Sequence, residues 1–244
     1  MRIVATVEAR MGSTRLPGKT LATILGRPLL ELLIERLRRA KKLNQVVVAT
    51  TTDPSDNAIE QLTCRLGVGC YRGSVEDVLD RVLKAAQAYE ADLIVETTGD
   101  NPFYDPDTID ELITMFEIGQ YDFVSNYLSK TFPLGLGVLL FPTKVLEEVG
   151  RLTQDPADRE NVSLYIYEHP ERYRLGSLDA PDAIRRPQYR LTVDRQEDLD
   201  LAREIFGRLY PTNPNFTTQD VVRLLDEHPE LARMNAQVIQ KAVR

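Results

Sequence analysis

Twelve consecutive residues near the start of the chain, Ala9-Arg10-Met11-Gly12-Ser13-Thr14-Arg15-Leu16-Pro17-Gly18-Lys19-Thr20, combine two glycines, one proline, three hydroxyls and three fixed cations. Gly12 and Gly18 let backbone come close to a ligand, and successive N–H groups in such a turn make an anion-binding concavity. Arg10, Arg15 and Lys19 add positive charge, and arginine matches phosphate oxygens two at a time. The chemistry these types suit is a nucleoside triphosphate gripped by its phosphates. A Walker-type P-loop is one competing reading. It needs four residues between glycine and Gly-Lys-Ser/Thr, whereas five separate Gly12 from Gly18. It also runs directly into a long helix, and here Gly26 and Pro28 interrupt. A basic surface loop without a ligand is the other; against it stands the crowding of glycine and cations just after a buried strand.

Two carboxylates complement the loop. Asp100 follows an apolar run and Gly99, and Asp194 follows Val193 at the end of another apolar run. A bound triphosphate brings Mg²⁺, which takes oxygen ligands and is commonly held by one or two carboxylates plus phosphates. Taken singly, Asp100 also suits a turn before Asn101-Pro102. Asp194 equally suits a helix N-cap ahead of Gln196, Glu197 and Asp198.

The elements that must position these groups alternate. Ile3-Val4-Ala5-Thr6-Val7 reads as a buried parallel strand leading into the loop. Leu29, Leu30, Leu33, Ile34 and Leu37 form a helical stripe after Pro28. Further strands are expected at Gln45–Thr50, Val68–Tyr71, Leu93–Val95 and Phe123–Val124. Leu136–Phe141, Arg172–Leu175 and, more clearly, Arg190–Asp194 extend that series. Helices fall between them, one from Ser55 to about Arg65, one reaching Tyr89, and others at Lys144–Arg151, Arg159–Glu168 and Asp220–Glu227. This rhythm predicts an α/β fold with a mostly parallel open sheet and helices on both faces. A single domain is expected, with a smaller lobe at about 126–188. The 244 residues suffice for a substantial core, and 43% hydrophobic with 27% charged residues is ordinary for a globular chain. A net charge of −7 argues against a general nucleic-acid partner and makes the cationic loop a local anion site. Cys64 and Cys70 fit neither a disulfide framework nor a zinc motif and read as reduced core thiols of a cytoplasmic protein. No apolar run is long enough to span a membrane.

The segment at 9–19, with Gly26-Arg27-Pro28-Leu29-Leu30 behind it, resembles the opening of the CMP-sugar-acid cytidylyltransferases, which activate 3-deoxy-octulosonate and sialic acids. It is most similar to the SpsF-type spore-coat polysaccharide branch. Val48-Ala49-Thr50, Tyr71 to Arg81, Thr98 to Pro102 and Arg190 to Asp194 carry the likeness across nearly the whole chain. The resemblance implies a three-layer α/β/α nucleotide-diphospho-sugar-transferase (GT-A-like) fold. It also implies Mg²⁺-dependent transfer of CMP from CTP to a sugar acid, release of pyrophosphate, and a homodimer with no nucleic acid or membrane partner. Arg10 and Lys19 would be catalytic and grip the triphosphate. Ala9, Gly12, Ser13, Thr14, Arg15, Thr50, Arg72, Ser74, Asp77 and Thr98 would bind the nucleotide, and Asp100 and Asp194 the metal. From the residues alone, Asp77 also suits a helix-surface pair with Arg81, and Arg72 a plain surface cation.

The chain departs from that pattern in two places. Relatives usually read Gly-Leu-Asp-Val-Glu-Val-Phe where it has Gly135-Leu136-Gly137-Val138-Leu139-Leu140-Phe141. They tend to have Arg-Glu-His-Val where it has Arg159-Glu160-Asn161-Val162. Both fall in the half expected to meet the acceptor, within the lobe at about 126–188 that would also serve dimerisation. A sugar-1-phosphate nucleotidyltransferase using another nucleotide, and a non-catalytic nucleotide-binding protein, stay open as alternatives.

Overall fold

The computed structural model describes residues 1–240. Strand β1 (Ile3–Glu8) is followed by the cationic loop, a 3₁₀ turn at Lys19–Leu21 and a two-residue hairpin, β2 (Thr23–Ile24) and β3 (Arg27–Pro28). Then come α1 (Leu29–Leu37), β4 (Gln45–Thr51), α2 (Asn57–Leu66), β5 (Gly69–Gly73), α3 (Val78–Ala88), β6 (Leu93–Thr98) and α4 (Pro106–Ile118). The middle of the chain supplies β7 (Phe123–Ser125), β8 (Leu139–Pro142), α5 (Thr143–Leu152), α6 (Pro156–Glu160), α7 (Leu164–Glu168) and β9 (Leu175–Ser177). Helices α8 (Gln196–Leu209), α9 (Thr218–Glu227) and α10 (Pro229–Arg233) close the described chain.

The strands form one seven-stranded sheet in the order β5-β4-β1-β6-β8-β7-β9, with β8 antiparallel to both neighbours and the remaining pairs parallel. Alternation along each strand decides which layer it feeds. Ile3, Ala5 and Val7 of β1 and Leu93 and Val95 of β6 pack against Leu33, Ile59 and Leu112 of α1, α2 and α4. Val4 and Ile94 face the other way, towards Leu79, Val82, Leu146 and Ile166 of α3, α5 and α7. The protein is therefore a three-layer α/β/α structure. Helices α8–α10 add a further cluster beside α1, in which Phe103 meets Phe206 and Phe216.

The connections from β1 run outward through β4 to β5, and the chain then returns across the sheet to β6. Strand order thus reverses between β1 and β6, and the crevice beyond their carboxyl ends is where open α/β sheets take ligands. The cationic loop leaves β1 at that point and Asp100 leaves β6.

Several expected elements differ. Arg190–Asp194 is not a strand: it makes one isolated bridge, from Arg190 to Leu134, and otherwise runs irregularly. Its backbone is instead tied at both ends, Leu191 N–H to Leu134 O at 2.7 Å and Val193 N–H to Asp100 O at 2.8 Å. The helix expected from Ser55 begins at Asn57, after a 3₁₀ turn capped by Asp53. Cys64 is exposed and Cys70 only half-buried, so Cys64 is not a core thiol. Among the described residues no helix is long and apolar enough to cross a membrane.

Candidate active site

The loop after β1 is fixed from beneath by one buried carboxylate. Asp56 accepts the Met11 N–H at 2.7 Å and the Thr51 N–H at 3.1 Å, so the end of β4 and the start of the loop share an anchor. Within the loop Met11 O accepts from Ser13 and Gly18 N–H, and the Thr20 hydroxyl donates to Arg10 O at 3.0 Å. These bonds fold the loop over a cavity of about 420 Å³.

Lys19 is the pivot of that cavity. Its side chain is nearly buried, and Nζ donates to Asp100 Oδ2 at 2.7 Å, Asp194 Oδ1 at 2.8 Å and Val193 O at 2.9 Å. The two aspartates predicted from distant parts of the sequence thus converge on one cation. Asp194 also receives Arg15 at 2.7 Å and Arg190 at 2.9 Å, and Arg190 in turn pairs with the buried Asp198. Burial alone would raise the Asp194 carboxyl, but Lys19, Arg15 and Arg190 outweigh it and hold the group below the usual carboxylate range. Asp100 is oriented by the Thr98 hydroxyl, which donates to Oδ1 at 2.7 Å. Gly99 lets β6 turn here: its N–H donates to Glu8 O at 2.8 Å, and a Cβ would sit 2.9 Å from that same oxygen.

Ala9, Arg10, Gly12, Ser13, Thr14, Arg15, Lys19, Thr98 and Asp100 all line this cavity, and Asp194 joins them through Lys19. Arg10 is exposed at its mouth, with one long contact to Val75 O at 3.4 Å. Thr50, Arg72, Ser74 and Asp77 also fall outside the lining. Thr50 is fully buried in β4. Arg72 braces the end of the sheet, donating to Thr51 O, Asp53 O, Asn57 and Glu60. Ser74 accepts the Asp77 N–H at 3.0 Å. Asp77 caps α3 through the Asp80 N–H at 2.9 Å, and its carboxylate pairs with Arg159 of α6 instead of Arg81.

A second cavity, of about 560 Å³, adjoins the first and shares Thr98, Asp100 and Asn161 with it. Glu96, Tyr127, Lys130, Gly137 and Leu139 belong to its wall. Asn161, which stands where relatives tend to have histidine, is therefore at the junction of the two spaces. At Gly137 the ring of Tyr127 occupies the room a side chain would need, 3.2 Å from a Cβ placed there. Sequence reasoning did not single out Glu8, Arg81 or Glu96, all of which line these cavities. The signal available was a carboxylate directly after each of two largely apolar runs, at 3–7 and 93–95.

A triphosphate-sized space beside a cationic loop fits several nucleotide-using families, so the whole-chain comparison decides among them. A family model described as cytidylyltransferase matches residues 4–233. The chain belongs to the cytidylyltransferase family. Similar to this chain in sequence is the spore coat polysaccharide biosynthesis protein SpsF of Bacillus subtilis (strain 168), 35% identical over 237 residues that cover 94% of this chain and 96% of that protein. The structure of a cytidylyltransferase from Leptospira borgpetersenii serovar Hardjo-bovis (strain JB197) superposes with a TM-score of 0.91 at 30% identity. It covers 99% of this chain and 100% of that one. CMP:2-keto-3-deoxy-manno-octonic acid synthetase complexed with CTP shares the fold, with a TM-score of 0.64 at 21% identity, over 85% of this chain and 99% of that one.

Proposed function

We propose that this protein transfers CMP from CTP to a sugar acid or related acceptor, releasing pyrophosphate, as a cytoplasmic homodimer serving cell-surface polysaccharide synthesis. One observation carries the reading: Lys19 lies between Asp100 and Asp194 at the carboxyl ends of β1 and β6, under a loop rich in glycine and arginine. In nucleotidyl transfer the protein chiefly aligns the attack and neutralises charge on the phosphates. Arg10, Arg15 and Lys19 are the groups for that task, with Gly12 and Ser13 in the loop that follows the phosphates. Thr50, Arg72, Ser74 and Asp77 act in this reading by shaping the rim that receives the base and ribose.

The donor set suits Mg²⁺. Asp100 and Asp194 supply hard oxygen atoms, and the ammonium of Lys19 already satisfies them as a cation. Mg²⁺ is commonly held by one or two carboxylates together with phosphate oxygens and water. Bound there, Mg²⁺ supplies charge neutralisation on the phosphates. The second cavity, walled in part by residues 126–139, is the acceptor side in this reading.

The reading is tested by supplying CTP, Mg²⁺ and a panel of 2-keto-3-deoxy sugar acids while pyrophosphate is assayed. Release with one of them is expected. A larger thermal shift with UTP, GTP or ATP than with CTP would point to a sugar-1-phosphate nucleotidyltransferase. Tight CTP binding with no release for any acceptor would make the protein a nucleotide binder without chemistry.

A further inference from the structure

Glu8 ends β1 and Glu96 lies in the adjacent β6, both on the sheet face covered by α3 and the α6–α7 corner. In the ladder Thr6 stands opposite Glu96 and Glu8 opposite Thr98, so the two glutamates are diagonal neighbours. Each carboxyl shifts the titration of the other. Glu8 lines the nucleotide-side cavity and Glu96, only 7% exposed, lines the acceptor-side cavity. Glu8 Oε1 and Glu96 Oε2 are enclosed and meet no N–H or O–H donor. A single proton held between the two groups is the donor they need, and two bare carboxylates this close and this buried would be costly.

The groups facing the pair come from every element around it. Arg81 of α3 offsets charge at Glu8, Asp100 adds a negative charge nearby, and the Ser163 hydroxyl bonds to Glu96. On the remaining side Leu139 of β8 pairs with Glu96 across the ladder and brings no charge. Burial pushes Glu96 up to about 7, the bonds from Ser163 and Glu8 holding it from rising further. Glu8 stands well above the ordinary range, first through burial and then through the charge of Glu96.

We propose that Glu96, acting as one unit with Glu8, is the base that takes the proton of the attacking acceptor hydroxyl. This rests on the transfer reading above. The pair straddles the wall between two cavities that meet at Thr98, Asp100 and Asn161, where a hydroxyl moving from one space towards a nucleotide in the other must arrive. The hydroxyl proton passes to the carboxylate of the pair, and the oxygen electron pair forms the bond to the α-phosphorus. The bond from that phosphorus to the bridging oxygen breaks, and pyrophosphate leaves with those electrons. The doubly protonated pair then returns one proton to solvent.

The test uses the full chain with Glu96→Gln and Glu8→Gln, CTP, Mg²⁺ and 2-keto-3-deoxy-manno-octonate, with pyrophosphate release followed from pH 5 to 9. In the wild type kcat should rise about tenfold per pH unit below about 7 and then level. Glu96→Gln should lose that limb and about 10²–10⁴-fold in kcat, with the thermal shift given by CTP unchanged. Carbon-13 spectra of glutamate-labelled protein should show one carboxyl titrating near 7 that Glu96→Gln removes. A Glu96→Gln enzyme that keeps the limb, with kcat within about threefold of wild type, overturns the proposal while leaving the transfer reading standing. So do spectra in which every glutamate titrates in the ordinary range near 4–5. A wild type that releases no pyrophosphate with any acceptor defeats the transfer reading itself.

Discussion

Lys19 Nζ lies 2.8 Å from Asp194 Oδ1, although the two residues are 175 positions apart. The bond closes the C-terminal helices onto the loop that follows the first strand. It also brings Asp194 to the cation that Asp100 already holds, so one ammonium ties three distant stretches of chain into a single charged site.

Lys19→Met would leave Asp100 and Asp194 facing each other without that cation. Removing one partner of a buried ion pair costs about 3–5 kcal/mol. We expect a loss of that order in urea melts with chelator present, partly restored by millimolar Mg²⁺. Turnover should fall on the order of 10²–10³-fold. A variant as stable as wild type in chelator would show that Lys19 does not hold the aspartates together.

Asp77 links two helices at the cavity rim, capping α3 and receiving Arg159 Nε at 3.0 Å. Loss of an N-cap costs about 1 kcal/mol, and a half-buried ion pair adds somewhat less than that. Asp77→Ala should therefore lower stability by about 1–2 kcal/mol. Arg159→Ala should lower it by less, and the double variant should be no worse than Asp77→Ala alone. Strict additivity of the two losses would mean that the side chains do not cooperate.

Gly135 has φ of +100°, and a Cβ there would lie 2.4 Å from Thr192 N. Both the backbone conformation and the clash oppose any larger residue. Gly135→Ala should cost about 2 kcal/mol or more and displace the Arg190–Asp194 segment, so Mg²⁺-dependent activity should fall along with the melting temperature. An alanine variant that melts with the wild type would rule out close contact between these segments.

Two carboxyls give opposite pH signatures. Asp194 lies below its unfolded value, so its contribution is present above about pH 4 and is lost on acidification through the folded value. Glu96 lies above its unfolded value of 4.5, at about 7. Between those points the folded state binds more protons than the unfolded one, so stability declines as pH rises through that window and then levels. Glu8, also raised by burial, adds a decline of its own, so Glu96→Gln should remove only the share of Glu96, on the order of 3 kcal/mol between pH 4 and pH 8. Asp194→Asn should instead blunt the loss in acid. Urea titrations of all three proteins at pH 4, 5, 6.5 and 8 measure both effects.

The cationic loop, Asp100 and the layer order of the sheet were legible because each is written locally, as a glycine-cation cluster, a strand end or a period-two apolar run. Asp194 reads as the end of a strand, and it stands beside Lys19 without one. Arg190-Leu191-Thr192-Val193 looks like a strand, yet the backbone there is tied to Leu134 and Asp100, and Arg190 spends its side chain on Asp194 and Asp198. What the sequence hid was partnership across the fold. Arg72 and Asp77 carry residue types suited to a nucleotide, and only their bonds to backbone carbonyls and to Arg159 show that they brace the rim. Glu8 and Glu96 read as strand residues because their diagonal pairing exists only once β1 and β6 are side by side.

The most direct measurement is Mg²⁺-dependent pyrophosphate release from CTP by Asp100→Asn, which keeps the shape of the side chain and removes its charge. We expect the variant to fold with wild-type secondary structure and to release no pyrophosphate above background at Mg²⁺ concentrations that saturate the wild type. Turnover within about twofold of wild type would contradict the assignment of Asp100, and with it the convergence of loop, aspartates and cation on one triphosphate site.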